Sequence, residues 1–119
     1  GKATDSKIKS QLSSMRHQAE LYTGTGTAFT VGTCATTAGT LFETANNGLG
    51  NLMGGLTLST MRCGSAAGLP NTGANWAVAA QTTTGAWCVD WTGASRDKTA
   101  AGVAYTTTLT TAITTTSCL

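Results

Sequence analysis

The apolar residues Ile8, Leu12, Met15, Ala19 and Tyr22 follow one another at steps of 4, 3, 4 and 3. That spacing holds all of them on one face of a helix turning every ~3.6 residues, and it predicts a helix over 1–23. Lys2, Lys7, Lys9, Gln11, Arg16, Gln18 and Glu20 fill the wet side, and neither Gly nor Pro interrupts from position 2 to position 22. Such a helix spans ~30 Å at ~1.5 Å per residue. The TGTGT run at 23–27 ends it, because Gly is conformationally loose and Thr is stiff and competes locally for backbone hydrogen bonds. A single apolar strip on a long helix needs one other surface to pack on.

The second part of the chain supplies a candidate for that surface. Trp76, Val78 and Ala80 alternate on one side of a stretch at 75–81, and Trp87, Val89 and Trp91 do the same at 86–91. With TTTG between them at 82–85 the two stretches predict a β-hairpin. A turn follows at 92–95, and Val103, Tyr105, Thr107 and Leu109 alternate as a third strand. A two-stranded ribbon is marginal in water, so the hairpin needs both the third strand and the helix. In the middle of the chain, Thr40-Leu41-Phe42-Glu43 has the spacing of a capping box and predicts a short helix that Gly54-Gly55 ends.

The chain holds four cysteines, Cys34, Cys63, Cys88 and Cys118, with no C-x-x-C among them. Zinc and redox sites need thiols gathered by a tight local turn, so two disulfides in an oxidising compartment are the better reading. Three pairings are open. Loop closure favours Cys34 with Cys63 and Cys88 with Cys118, since each closes a loop of ~30 residues and constrains the unfolded chain by ~3.5 kcal/mol.

The run Asp5-Ser6-Lys7-Ile8-Lys9-Ser10-Gln11-Leu12-Ser13-Ser14-Met15-Arg16, with Gln18-Ala19-Glu20-Leu21-Tyr22 behind it, resembles the second half of the long N-terminal helix of bacterial type IV pilins. WAVAAQTTTGAWCVDWTGASRDK resembles pilins and pseudopilins again, through a Cys-Val-Asp followed by a Gly-containing turn. The resemblance implies an α+β domain: a long amphipathic helix on a small antiparallel sheet of about three strands, a short helix in the connecting loop, and two disulfides. Along the chain it implies one unit, with the helix at 1–23, a helix-to-sheet loop at 24–74, and the sheet with a C-terminal disulfide loop at 75–119. It also implies an apolar half-helix upstream, and it supports the Cys88–Cys118 pairing, since a late disulfide commonly fastens the final segment of a pilin.

The function implied is that of a structural subunit of a type IV pilus, polymerising through the upstream helix, with adhesion, twitching motility or DNA uptake as the roles such filaments serve. Its partners would be other pilin subunits in a homopolymeric filament, the membrane-bound assembly machinery, and host or abiotic surfaces. Its place would be the cell surface. A type II secretion pseudopilin and a secreted disulfide-bonded adhesin or binding module are the alternatives.

Enzyme chemistry finds no support in the residues. His17 is the lone histidine, no G-x-S-x-G, H-E-x-x-H or phosphate loop occurs, and Gly24-Thr25-Gly26 lacks the third glycine of a dinucleotide site. Five carboxylates are too few to make a calcium site at Asp90 and Asp97 attractive, so no metal and no cofactor are expected. Only 10% of residues are charged and the net charge is +2, which leaves no strong polyanion footprint. Any ligand contact is placed at Trp91, Arg96 and Lys98, an aromatic with two cations beside a turn, where DNA binding would be weak and salt-sensitive.

Overall fold

A computed structural model describes residues 2–66, 75–83, 85–93 and 95–97. Helix α1 runs Lys2–Leu21. Among the described residues five strands follow: β1 (Phe29–Thr33), β2 (Met61–Ser65), β3 (Trp76–Gln81), β4 (Ala86–Asp90) and β5 (Ser95–Asp97). They form one sheet in the order β1-β2-β3-β4-β5, every neighbouring pair antiparallel. The fold is therefore α+β, with a helix laid on an antiparallel meander, and α1 packs over β4 and β3 and against a single 3-10 turn at Leu49–Leu52.

Register explains which residues meet the helix. Cys63 lies opposite Val78, Val78 opposite Val89, and Val89 opposite Ser95, so this row shares one face. Met61, Trp76, Ala80 and Trp87 belong to the same face by the two-residue alternation of a strand. The core gathers there: Leu12, Met15, Val78 and Val89 are fully buried, Ile8, Trp76 and Ala80 nearly so, and Ala19 and Trp87 are partly buried against them. Ala77, Ala79 and Cys88, one residue out of phase, are buried on the opposite face.

The sheet is wider than the alternation pattern implies. Two of its five strands, β1 and β2, come from the 24–74 segment expected to be a connecting loop. FTVGT and MRCGS are short, and glycines blur their alternation, so neither carries a clear period of two. The register of β1 on β2 shifts between Phe29 and Gly32. The predicted third strand at 103–109 lies outside the described residues, and Ser95, expected in a turn, begins β5 instead.

The capping-box helix does not form. The Thr40 hydroxyl accepts from the Phe42 N–H at 3.3 Å and donates to the Thr37 carbonyl at 2.7 Å, while the Glu43 N–H donates to the Thr40 carbonyl at 3.1 Å. That is a local turn, and the Glu43 carboxylate leaves it for the end of α1. Regular structure resumes only at Leu49–Leu52, where Leu49 is buried under the helix.

Cys34 and Cys63 form a disulfide with their Cα atoms 4.9 Å apart. It joins the segment after β1 to the middle of β2, inside the core. Cys118 lies outside the described residues, and with it the expected Cys88–Cys118 bond.

Candidate functional site

Helix α1 uses its circumference in distinct strips. Ile8, Leu12 and Met15 are buried, and Tyr22, one residue beyond the helix, continues the strip at 2% exposure. Beside them runs a polar flank that reaches the sheet. An Asp5 carboxylate oxygen accepts from both the N–H and the hydroxyl of Thr83 at 3.0 Å, pinning the β3–β4 turn. The Lys9 ammonium stands 4.8 Å from the centre of the Trp87 ring, a cation–π contact. The Arg16 guanidinium donates to the Gly93 carbonyl at 2.6 Å, holding the β4–β5 turn.

The other flank reaches the middle segment. The Gln11 amide donates to the Gly54 carbonyl at 3.1 Å, and the Gln18 amide donates to the Asn47 carbonyl at 2.8 Å. Four of the side chains that sequence periodicity assigns to solvent, Lys9, Gln11, Arg16 and Gln18, are thus tethers along the margins of the apolar strip. Ser10, Ser14, His17, Glu20 and Leu21 remain exposed on the outer surface, Leu21 at 59%.

Past the helix, Tyr22 and Glu43 meet in a buried pair. The Tyr22 hydroxyl donates to Glu43 Oε2 at 2.5 Å, and the Gly39 N–H donates to Oε1 at 3.3 Å. The Gly26 N–H donates to the Tyr22 oxygen at 3.3 Å. The Tyr22 hydrogen bond holds the Glu43 carboxyl below the usual carboxylate range against the opposing effect of burial, with help from Gly39 and the Asn46 side chain. Burial pushes the Tyr22 phenol up, and its bond to Glu43 adds to that. Gly24 lies so close over this pair that any side chain there would strike the Tyr22 and Glu43 oxygens.

Of the three residues that the sequence singles out for ligand contact, Trp91 and the backbone of Arg96 lie among the described residues. Trp91 is 44% exposed in the β4–β5 turn, and its backbone N–H donates to the Trp76 carbonyl at 3.0 Å. Fully buried Asp90 makes the turn rigid: its Oδ1 accepts from the Thr92 N–H at 2.9 Å and from the Thr92 hydroxyl at 2.5 Å, and its carbonyl accepts from the Gly93 N–H at 3.1 Å. Arg96 occupies the register position opposite Cys88 in β5, and Lys98 lies outside the described residues. Among the described residues, the fold brings Arg16 to the Trp91 turn, 77 residues away along the chain from Gly93. No spacing rule in the sequence signals that partnership.

His17 is exposed on the outer face of α1. Among the described residues there is no group of three or more His, Cys, Asp or Glu side chains placed to hold a metal ion. No helix of the described residues is long and apolar enough to cross a membrane.

No protein-family model matches the chain, no curated protein matches it, and no solved structure matches it.

Proposed function

We propose that this domain is the globular head of a type IV pilus subunit. The observation that supports the reading is the continuous 20-residue helix laid by one face on an antiparallel meander, with its outer face exposed. A helix in that position can extend beyond the sheet as a shaft. If an apolar extension precedes it, only neighbouring copies can bury that surface, and head-to-tail repetition without closure makes a filament. The partners on this reading are other copies of the chain, the membrane machinery that assembles them, and the surfaces the filament touches. The Cys34–Cys63 disulfide suits the oxidising surroundings of a surface filament.

Two finer elements belong to the same proposal. Cys88 bonds Cys118 and so fastens the C-terminal segment to the sheet. Trp91, with Arg16 beside its turn, is the contact point for ligands on the assembled filament, Arg96 and Lys98 contributing from the adjoining segment.

The test is expression of the complete gene in cells with a pilus assembly system, followed by electron microscopy. Filaments labelled by antibodies against this domain are expected, while the 119-residue chain sediments as a monomer in dilute solution. Secretion of the full product as a soluble monomer would favour the reading as a free adhesin. Nonreducing peptide mapping, read independently, is expected to link Cys88 to Cys118.

A further inference from the structure

The segment that closes on the end of α1 is a tight turn with unusual chemistry. Asn46 and Asn47 sit at φ 57° and 62°, and the Gly48 N–H donates to the Ala45 carbonyl at 3.0 Å, the pattern of a type I′ turn. Asn tolerates the left-handed region better than other side chains, which suits this pair to the position. The turn docks on the helix through its backbone. The Asn46 carbonyl accepts from the Thr23 N–H at 2.9 Å and from the Thr23 hydroxyl at 3.2 Å, and the Asn47 carbonyl accepts from Gln18 at 2.8 Å. The Asn47 amide nitrogen points back at the Leu21 carbonyl at 3.5 Å.

Asn47-Gly48 is also a reactive sequence. Glycine has no side chain to shield its nitrogen, so the Gly48 nitrogen can attack the Asn47 side-chain carbonyl carbon. A bond forms between that nitrogen and Cγ, the bond from Cγ to Nδ2 breaks, and ammonia leaves carrying the Gly48 proton. Water then opens the cyclic imide at either carbonyl, which leaves aspartate or isoaspartate at position 47. Asn47 is exposed, so water reaches it. Gly48 is buried with its N–H committed to Ala45, which keeps the nucleophile away while the turn is docked.

We propose that Asn47-Gly48 is a self-modification site gated by the docking of this turn on the end of α1. Closed, the turn withholds the Gly48 nitrogen. Opened, it converts, and the product does not dock again. A carboxylate at position 47 loses the donor aimed at Leu21 and sets a negative charge beside the carbonyl end of the helix, where the helix dipole repels it. The isoaspartyl product adds a carbon to the backbone between the Ala45 carbonyl and the Gly48 N–H, whose 3.0 Å hydrogen bond closes the turn. Detachment of the helix end thereby becomes a permanent covalent mark. The inference stands apart from the filament reading.

The experiment follows conversion at Asn47 by peptide mapping and mass spectrometry in warm, mildly alkaline buffer. It uses the oxidised chain, the same chain in urea, and Gln18→Ala, which removes one docking bond. In the scheme of local opening the protection equals the opening equilibrium, so conversion should be roughly tenfold or more slower in the native chain than in urea, with Gln18→Ala between them. Equal rates in native chain and urea would overturn the gate. Asn47→Asp should lower the melting temperature, and an unchanged melting temperature would overturn the claim that the product cannot dock. Should that variant fail to fold, aged wild-type chain carrying the modification, isolated by ion exchange, gives the same reading.

Discussion

Tyr22 and Glu43 share a hydrogen bond of 2.5 Å at the point where α1 gives way to the loop, and both side chains are buried, at 2% and 6% exposure. The bond closes the helix onto a segment 21 residues further along the chain, and Gly24 is kept bare by it. Burying a carboxylate is costly unless donors surround it, and here a phenol and the Gly39 N–H do so.

Tyr22→Phe should therefore destabilise the domain by about 1–3 kcal/mol, because it removes the donor and leaves the carboxylate buried. Glu43→Gln, which keeps an acceptor for the phenol, should cost less. Urea denaturation of both variants and of the pair measures the coupling; a coupling near zero would contradict the buried bond.

Glu43 also makes stability depend on pH. Its folded pKa is lowered, chiefly by the Tyr22 bond, so its contribution is complete above the unfolded carboxylate pKa. It is lost as pH falls through the lower folded value. Thermal melts across the acid range should show wild type losing stability more steeply than Glu43→Gln, with the two curves converging at the acid end.

The Cys34–Cys63 bond should be worth about 2–4 kcal/mol. The double variant Cys34→Ala, Cys63→Ala is expected to melt markedly lower while keeping the helical signal in circular dichroism, because α1 packs chiefly on β3, β4 and the 3-10 turn at Leu49–Leu52. Unchanged melting would mean that the loop is ordered without the bond.

Arg16→Ala should release the β4–β5 turn at a cost of about 0.5–1.5 kcal/mol, through loss of the bond to Gly93. Hydrogen exchange is the sensitive readout: the Trp91 and Gly93 amides should exchange faster, while those in the middle of β3 stay protected. Uniform protection across the turn would show that Asp90 and Thr92 hold it alone.

Much of this architecture was legible in local pattern. The 4-3-4-3 spacing from Ile8 to Tyr22 specifies the helix and its buried strip, since a helix places those residues on one face whatever surrounds them. The alternation in WAVAAQ and AWCVD specifies the hairpin in the same way, with Trp76 on the core side and Cys88 behind it. Loop closure favoured Cys34 with Cys63, and the disulfide joins that pair. Long-range pairing decided the rest. β1 and β2 are strands because neighbours supply their hydrogen bonds, and glycines hide the period that would announce them. Thr40 and Glu43 carry a capping spacing, yet the Glu43 carboxylate is drawn to Tyr22 instead, because the folded chain offers it a buried donor that no local helix could match. Arg16 reaches Trp91's turn for a similar reason: a helix crossing a sheet brings together residues whose distance along the chain carries no trace of the contact.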